Sequence, residues 1–257
     1  MTAKERHSRI LEILKENNVI RIREIAEAFD VSQETARRDL ETLQEQNLVK
    51  RIHGGAILVS NGRGENSLYS SNASLSHAEK VAIGKKAATL VKNGETILLD
   101  TGSTVLEMAR NLKKHKNLTV ITSSLAVVDE LIRTDVNIIM LGGDVKNDEQ
   151  CVYSQDTEMM FDRYFVDKAF FSCGGITFTD GITDYGETLN RHKIAAHSAE
   201  TILIADSGKF GRNARYKACP LELIDKIVVD NRISEQQLSE LTKYNIEVIL
   251  ADVDENI

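Results

Sequence analysis

"SQETARRDLETLQEQNLVKRIHGGA", residues 32–56, decides how the start of the chain folds. Ser32 is a favoured helix N-cap, and the spacing predicts a helix from it to about Gln46, with Ala36, Leu40 and Leu43 as one buried stripe. Glu34, Arg38 and Glu41 fall on the opposite side, and Gln33 and Arg37 flank it. "LVKRIHGGAILV" then reads as a β-hairpin with Gly54 and Gly55 at the turn.

Working outward, Ile10, Leu11, Ile13 and Leu14 recur at helical spacing between Lys4 and Asn17, and the two asparagines at 17 and 18 end that helix. "VIRI" is short and extended. "REIAEAFD" places Ile25, Ala26 and Phe29 on one face of a second helix, and "DVS" turns into the third. Three short helices and a hairpin make a winged helix-turn-helix, expected over residues 1–58. In that fold the third helix lies in the DNA major groove, so Ser32, Gln33, Thr35, Arg37 and Arg38 are candidates to meet bases and phosphates. Lys50, Arg51 and His53 on the wing would meet the adjacent backbone. Phosphate would repel Asp39, which is therefore expected to turn aside and pair with a basic neighbour.

A net charge of -7 over 257 residues argues against a polyanionic partner only if the charge is evenly spread. It is not: residues 1–60 hold ten Lys or Arg and ten Asp or Glu, so the remainder carries the whole deficit. With 42% hydrophobic content the chain can bury a substantial core. No run approaches the roughly 18 apolar residues of a membrane span, so a cytoplasmic protein without a membrane contact is expected. Cys151, Cys173 and Cys219 are odd in number and lack any CxxC pattern, which points to reduced, buried thiols. His192 and His197 lie roughly 140° apart around a helix, a poor geometry for a shared metal. Neither metal nor cofactor is expected.

Residues 59–75, rich in Ser, Asn and Gly, read as a linker. After a helix in "AEKVAIGKKAATLVKNG" come seven apolar runs separated by helical patterns: "TILLD", "LTVIT", "VNIIMLGG", "KAFFSCGG", "TILIAD", "KIVVD" and "IEVILAD". Near-continuous apolar runs suit parallel strands covered on both faces, so residues 76–257 are expected to form one doubly wound α/β domain. Ligands of such a sheet collect outside the carboxyl ends of its strands. "DTGST" sets Asp100, Thr101, Gly102, Ser103 and Thr104 at a strand-to-helix turn, where backbone N–H groups and the helix dipole hold an anion, typically phosphate. Thr122, Ser123 and Ser124 repeat the device, Gly142 and Gly174 follow the next two runs, and Lys209 adds a cation. Asp184 and Glu187 suit sugar hydroxyls, while Lys193 suits either a phosphate or an internal pair with Glu187. Any one of these motifs alone is no more than a capped helix; together, on one sheet edge, they make a polar pocket.

Arg6, Ile10, Leu14, Ser32, Thr35, Ala36, Arg37, Arg38, Asp39 and Leu40 fall at the spacing of the DNA-binding signature of the DeoR family of bacterial sugar-metabolism regulators, and "HGGA" resembles that family's wing. "DTGST", "ITSS", "GITDYGE" and "ADSGKFG", in that order, resemble its effector domain, with Ser123 standing where many members have asparagine. The resemblance implies a ribose-5-phosphate-isomerase-like sensor domain that binds a phosphorylated sugar or polyol without turning it over. It implies a regulator, usually a repressor, that leaves operator double-stranded DNA when this ligand accumulates. One helix-turn-helix reads one half-site, so a homodimer at least is expected, and the resemblance adds a homotetramer. The competing class is a sugar-phosphate isomerase-like enzyme with an N-terminal interaction module. Such an enzyme needs a general base, for which Asp100, Asp184 and Glu187 are candidates, but the acid-rich motif of the isomerases is missing.

Overall fold

A computed structural model describes residues 2–17, 19–45, 48–52, 54–58, 76–186 and 188–253. The linker, His53, Glu187 and the helix end proposed at Gln46 lie outside the described residues. Two compact units emerge, Met1–Leu75 and Ser76–Ile257.

In the first unit, α1 (Ala3–Asn17), α2 (Ile22–Phe29) and α3 (Gln33–Glu45) pack on a small sheet of β1 (Val19–Arg21), β2 (Val49–Ile52) and β3 (Gly55–Leu58). The buried stripes of all three helices meet: Ile10, Leu14, Ile25, Ala36, Leu40 and Leu43 share a core with Ile20, Val49 and Ala56. The wing is more than a hairpin, because "VIR" of β1 pairs with β3 and makes a third strand. The expected two-glycine turn is also corrected. Gly54, at φ +82°, takes the left-handed turn position, whereas Gly55 already lies in β3 opposite Arg21 and Ile52. A Cβ on Gly55 would fall 2.1 Å from the Ile20 carbonyl oxygen, so the third strand itself demands that glycine.

Asp39 turns inward, as its charge requires. Arg6 donates to it from Nε at 2.6 Å and Nη2 at 2.9 Å, and His7 Nε2 stands at 2.8 Å. Burial alone would raise this carboxyl, but the hydrogen bonds from Arg6 and His7 outweigh it and hold Asp39 below the usual carboxylate range. α3 is thereby riveted to α1.

The second unit begins with α4 (His77–Ala88), and all seven apolar runs then become strands of one parallel sheet: β4 (Thr96–Leu99), β5 (Thr119–Thr122), β6 (Asn137–Met140), β9 (Lys168–Phe171), β12 (Thr201–Ile204), β14 (Lys226–Asp230) and β15 (Glu247–Ala251). Successive residues serve opposite faces. Ile97, Leu99, Phe170, Ile202 and Ile204 join one core with α4, α5 (Ser103–Arg110) and α6 (Leu125–Leu131). Leu98, Phe171, Leu203 and Ile227 join the other with Phe161 of α7 (Gln155–Phe161), Ile194 of α8 (Arg191–Ala196) and Leu241 of α9 (Glu235–Thr242). The sheet is doubly wound. Its spatial order, β15-β14-β12-β9-β4-β5-β6, reverses direction between β4 and β9.

Two small antiparallel additions were not anticipated: β7 (Val145–Lys146) with β8 (Cys151–Val152), and a three-stranded sheet of β10 (Gly175–Thr177), β11 (Gly181–Asp184) and β13 (Tyr216–Cys219). Their strands are two to four residues long, too short to show a period in the sequence. Among the described residues no helix is long and apolar enough to cross a membrane.

Candidate functional site

On α3, Gln33, Glu34, Arg37, Arg38 and Glu41 all point to solvent, opposite the buried Ala36, Leu40 and Leu43. Ser32 and Thr35 serve the helix start instead: Ser32 Oγ accepts from Thr35 N at 3.1 Å, and the two hydroxyls stand 2.9 Å apart. On the wing, Arg51 reaches back to Glu41 at 2.6 Å, and its backbone N–H donates to Gln44 Oε1. Lys50 is exposed beside it. Opposed charges so close on an exposed surface contribute little stability, so Arg37, Arg38, Lys50 and Arg51 are all solvent-accessible cations of this unit.

In the second unit the sheet reverses where Asp100 follows β4 and Ser172 follows β9. This is the crevice in which open α/β sheets take ligands. The two strand ends are laced together: Asp100 N donates to Phe170 O at 3.0 Å, and Ser172 Oγ donates to Thr101 O at 3.2 Å. Gly102, at φ +131°, precedes α5, and a Cβ there would lie 2.2 Å from Ser172 Oγ. Gly102 has no side chain to cap α5, so that helix starts without a side-chain cap.

Two cations stand at the same edge. Lys209 ends the 3-10 turn Ser207–Lys209 after β12, and Asp230 pins that turn by accepting from Ser207 N at 2.6 Å and Ser207 Oγ at 2.8 Å. Lys80, on the first turn of α4, is 3% exposed. Burial first, and then the charge of Lys209, push Lys80 down to about 8, against the pull of Asp206 and Glu79.

Beyond Asp100 lies an ionic cluster. Arg191, fully buried, donates from Nη1 to Asp100 and from Nη2 to Asp184 at 3.2 Å, with its guanidinium 4.6 Å over the Phe171 ring. Burial pushes Asp184 up to about 6, although Arg191 draws it down. Burial and the Asp184 charge likewise raise Glu149. Asp184 and Arg191 line a cavity with Tyr153, Asn190, His192 and Tyr216. Cys173, just past β9, feels the charges of Lys209 and Asp206 as well as those of Asp184 and Arg191. All three thiols are buried; burial pushes Cys151 and Cys173 up to about 12 and Cys219 to about 11.

Asp100, Thr101, Gly102, Ser103 and Thr104 follow β4, Gly174 follows β9 and Lys209 follows β12, all at the carboxyl ends of the parallel strands, where Thr122, in register with Leu99, also ends β5. Thr122, Ser123 and Ser124 are buried; Ser124 Oγ accepts from Val127 N as the cap of α6, and Thr122 Oγ1 accepts from Ser124 N. Gly142 accepts from Thr157 Oγ1 at the start of the β7–β8 excursion. Lys193 faces away, bonded to Asp162 at 2.7 Å with Glu158 at 3.8 Å, because α8 turns that side towards α7. Lys80, Asp206 and Arg191 were missed. Nothing local marks them: each sits in an ordinary amphipathic or loop context and acquires its role from a partner on another element.

Comparison with known proteins agrees with this architecture. The DeoR-like helix-turn-helix domain matches residues 6–61, and the DeoR C-terminal sensor domain matches residues 75–231. The glycerol-3-phosphate regulon repressor of Escherichia coli (strain K12) is 30% identical over 97% of this chain and 100% of its own. The lactose phosphotransferase system repressor of Lactococcus lactis subsp. lactis is 34% identical over 95% of this chain and 97% of its own. The transcriptional regulator GolR of Listeria innocua is 32% identical over 96% and 98%. These relatives are regulators, not enzymes. Among solved structures, ribose 5-phosphate isomerase A from Methanocaldococcus jannaschii aligns with 51% of this chain and 53% of its own, at 22% identity and a TM-score of 0.38. With both halves of the pattern matched in order, and relatives similar along nearly the whole length, the chain belongs to the DeoR family of transcriptional regulators.

Proposed function

We propose that residues 1–58 bind operator DNA through Gln33, Arg37 and Arg38 on α3 and Lys50 and Arg51 on the wing, that residues 59–75 link, and that residues 76–257 bind a phosphorylated sugar or polyol. The protein works in the cytoplasm as a homo-oligomer, a dimer or a tetramer, since one recognition helix covers one half-site. It is a repressor of a carbohydrate-utilisation operon, and the ligand releases it. Two relatives are named as repressors, one of a glycerol-3-phosphate regulon, and this supports both the sign and the ligand class.

The ligand class is supported by the strand reversal, where Gly102 leaves the start of α5 without a side-chain cap and Lys209 follows the carboxyl end of β12. A phosphate there takes the N–H groups of Ser103 and Thr104 and the charge of Lys209. Calorimetric titration with a panel of sugar and polyol phosphates, beside gel-shift release from operator, tests this reading. Lys209→Ala is expected to weaken the best ligand several-fold to hundred-fold without touching DNA affinity. The sign of the pH effect also follows. Lys80 loses its proton near 8 in the free protein and is held protonated by the bound phosphate, so affinity falls as pH rises through about 8. A Lys209→Ala protein with wild-type response, or affinity flat to pH 9, places the phosphate elsewhere.

For the wing, neutralising Lys50 and Arg51 together is expected to weaken specific and random DNA alike, lowering the salt slope by roughly one unit per lost phosphate contact. Loss at a single base position of the operator would show instead that the wing reads sequence.

A further inference from the structure

Glu34 stands second in α3, with its side chain 63% exposed, on the face that carries Gln33, Arg37 and Arg38. The N-terminal residues of a recognition helix are those that reach base edges. A carboxylate at that place is repelled by every phosphate, and its cationic neighbours hold it loosely. Arg37 Nη1 lies 3.5 Å away and Arg38 Nε 3.8 Å, both longer than a good hydrogen bond. Thr35 beside it is tied to Ser32, and Ala36 is in the core, so the first turn of α3 presents only Gln33 and Glu34 outward. Of the two amine donors in the major groove, adenine N6 stands beside the N7 acceptor, which repels a carboxylate, so the N4 amine of cytosine is the group that suits Glu34. When Arg37 and Arg38 move to phosphate or guanine, Glu34 is released towards that amine.

We propose that Glu34 reads a cytosine of the operator half-site through its N4 amine, which makes it a specificity-determining residue of α3. This rests on the docking of α3 in the major groove. Asp39, the other acid nearest the arginines, plays no part, being committed to Arg6 and His7.

The test selects duplexes from a randomised DNA library on the full-length protein, then titrates single-base variants of the selected site against wild type, Glu34→Ala and Glu34→Gln in gel shifts. Wild type is expected to require a C·G pair at one position of each half-site, with its replacement weakening binding roughly ten-fold to hundred-fold. Glu34→Ala loses that preference and keeps the others. Glu34→Gln moves it towards A·T, because glutamine pairs with adenine N6 and N7. If Glu34→Ala binds every duplex more tightly by one factor, with base preferences intact, the acid is only an electrostatic brake and the proposal falls. Uniform weakening overturns it too, and leaves Glu34 as a brace for the arginines. The two levels of failure separate cleanly. An Arg37→Ala, Arg38→Ala protein that still binds normally removes the docking of α3, whereas loss of binding there with unchanged preferences in Glu34→Ala removes the reading role alone.

Discussion

Replacing Arg37 and Arg38 together with alanine is expected to abolish operator binding while the protein stays folded. Arginine contacts to phosphates and base edges contribute about 1–3 kcal/mol each, so the pair removes on the order of thirty-fold to ten-thousand-fold in affinity. Adjacent groups need not add, and the lower half of that range is the firmer one. Stability is a separate matter. The side chains are 49% and 76% exposed, and both pair with Glu34, at 3.5 and 3.8 Å, an arrangement worth little in water. Gel-shift titration on the selected operator, with a thermal melt of the same preparation, reads both halves. Wild-type affinity in the double variant would sink the assignment of α3 as the DNA-facing helix, and a lowered melting temperature would show that the arginines support the fold.

Arg191→Ala is expected to have the largest effect on stability. It strips the cation from two carboxylates, Asp100 at 1% and Asp184 at 18% side-chain exposure, and removes the guanidinium from the Phe171 ring. Breaking a buried pair by removing one partner costs about 3–5 kcal/mol, which for a unit of this size lowers the melting temperature by roughly 6–20 °C. The loss should depend on pH in a definite direction. Asp184 in the folded protein titrates near 6, above its unfolded value of about 3.9. Its contribution to stability is therefore full below about pH 4 and disappears as pH rises through about 6. Without Arg191 to draw it down, Asp184 climbs further and the window extends upward. The gap between variant and wild type is thus wide at pH 8 and narrows at pH 5, where the stranded carboxyl protonates. A gap constant with pH would assign the loss to packing on Phe171, and a variant melting with wild type would show that the cluster bears no stress.

Much of this protein was legible from residue order alone, wherever a signal repeats along one element. The stripe of Ala36, Leu40 and Leu43 determined which side of α3 is buried and so which arginines face outward, because a helix returns every 3.6 residues. The seven apolar runs determined seven strands, since a strand covered on both faces must be apolar at every position. "DTGST" determined where α5 begins. Charge also spoke for Asp39, which had to be neutralised, though not for Arg6 and His7 as its partners, 33 and 32 residues away. Tertiary structure decided the rest. Gly55 is glycine because β1 passes over it; Lys193 is held by Asp162 because α8 turns it that way; and Arg191 reaches Asp100 from another element. Desolvation and pairing, which create the lowered lysine and the raised aspartate, are properties of neighbours brought together across the chain. A short-range pattern carries the period of its own helix or strand, while the electrostatics of a site belong to contacts whose sequence separation no period records.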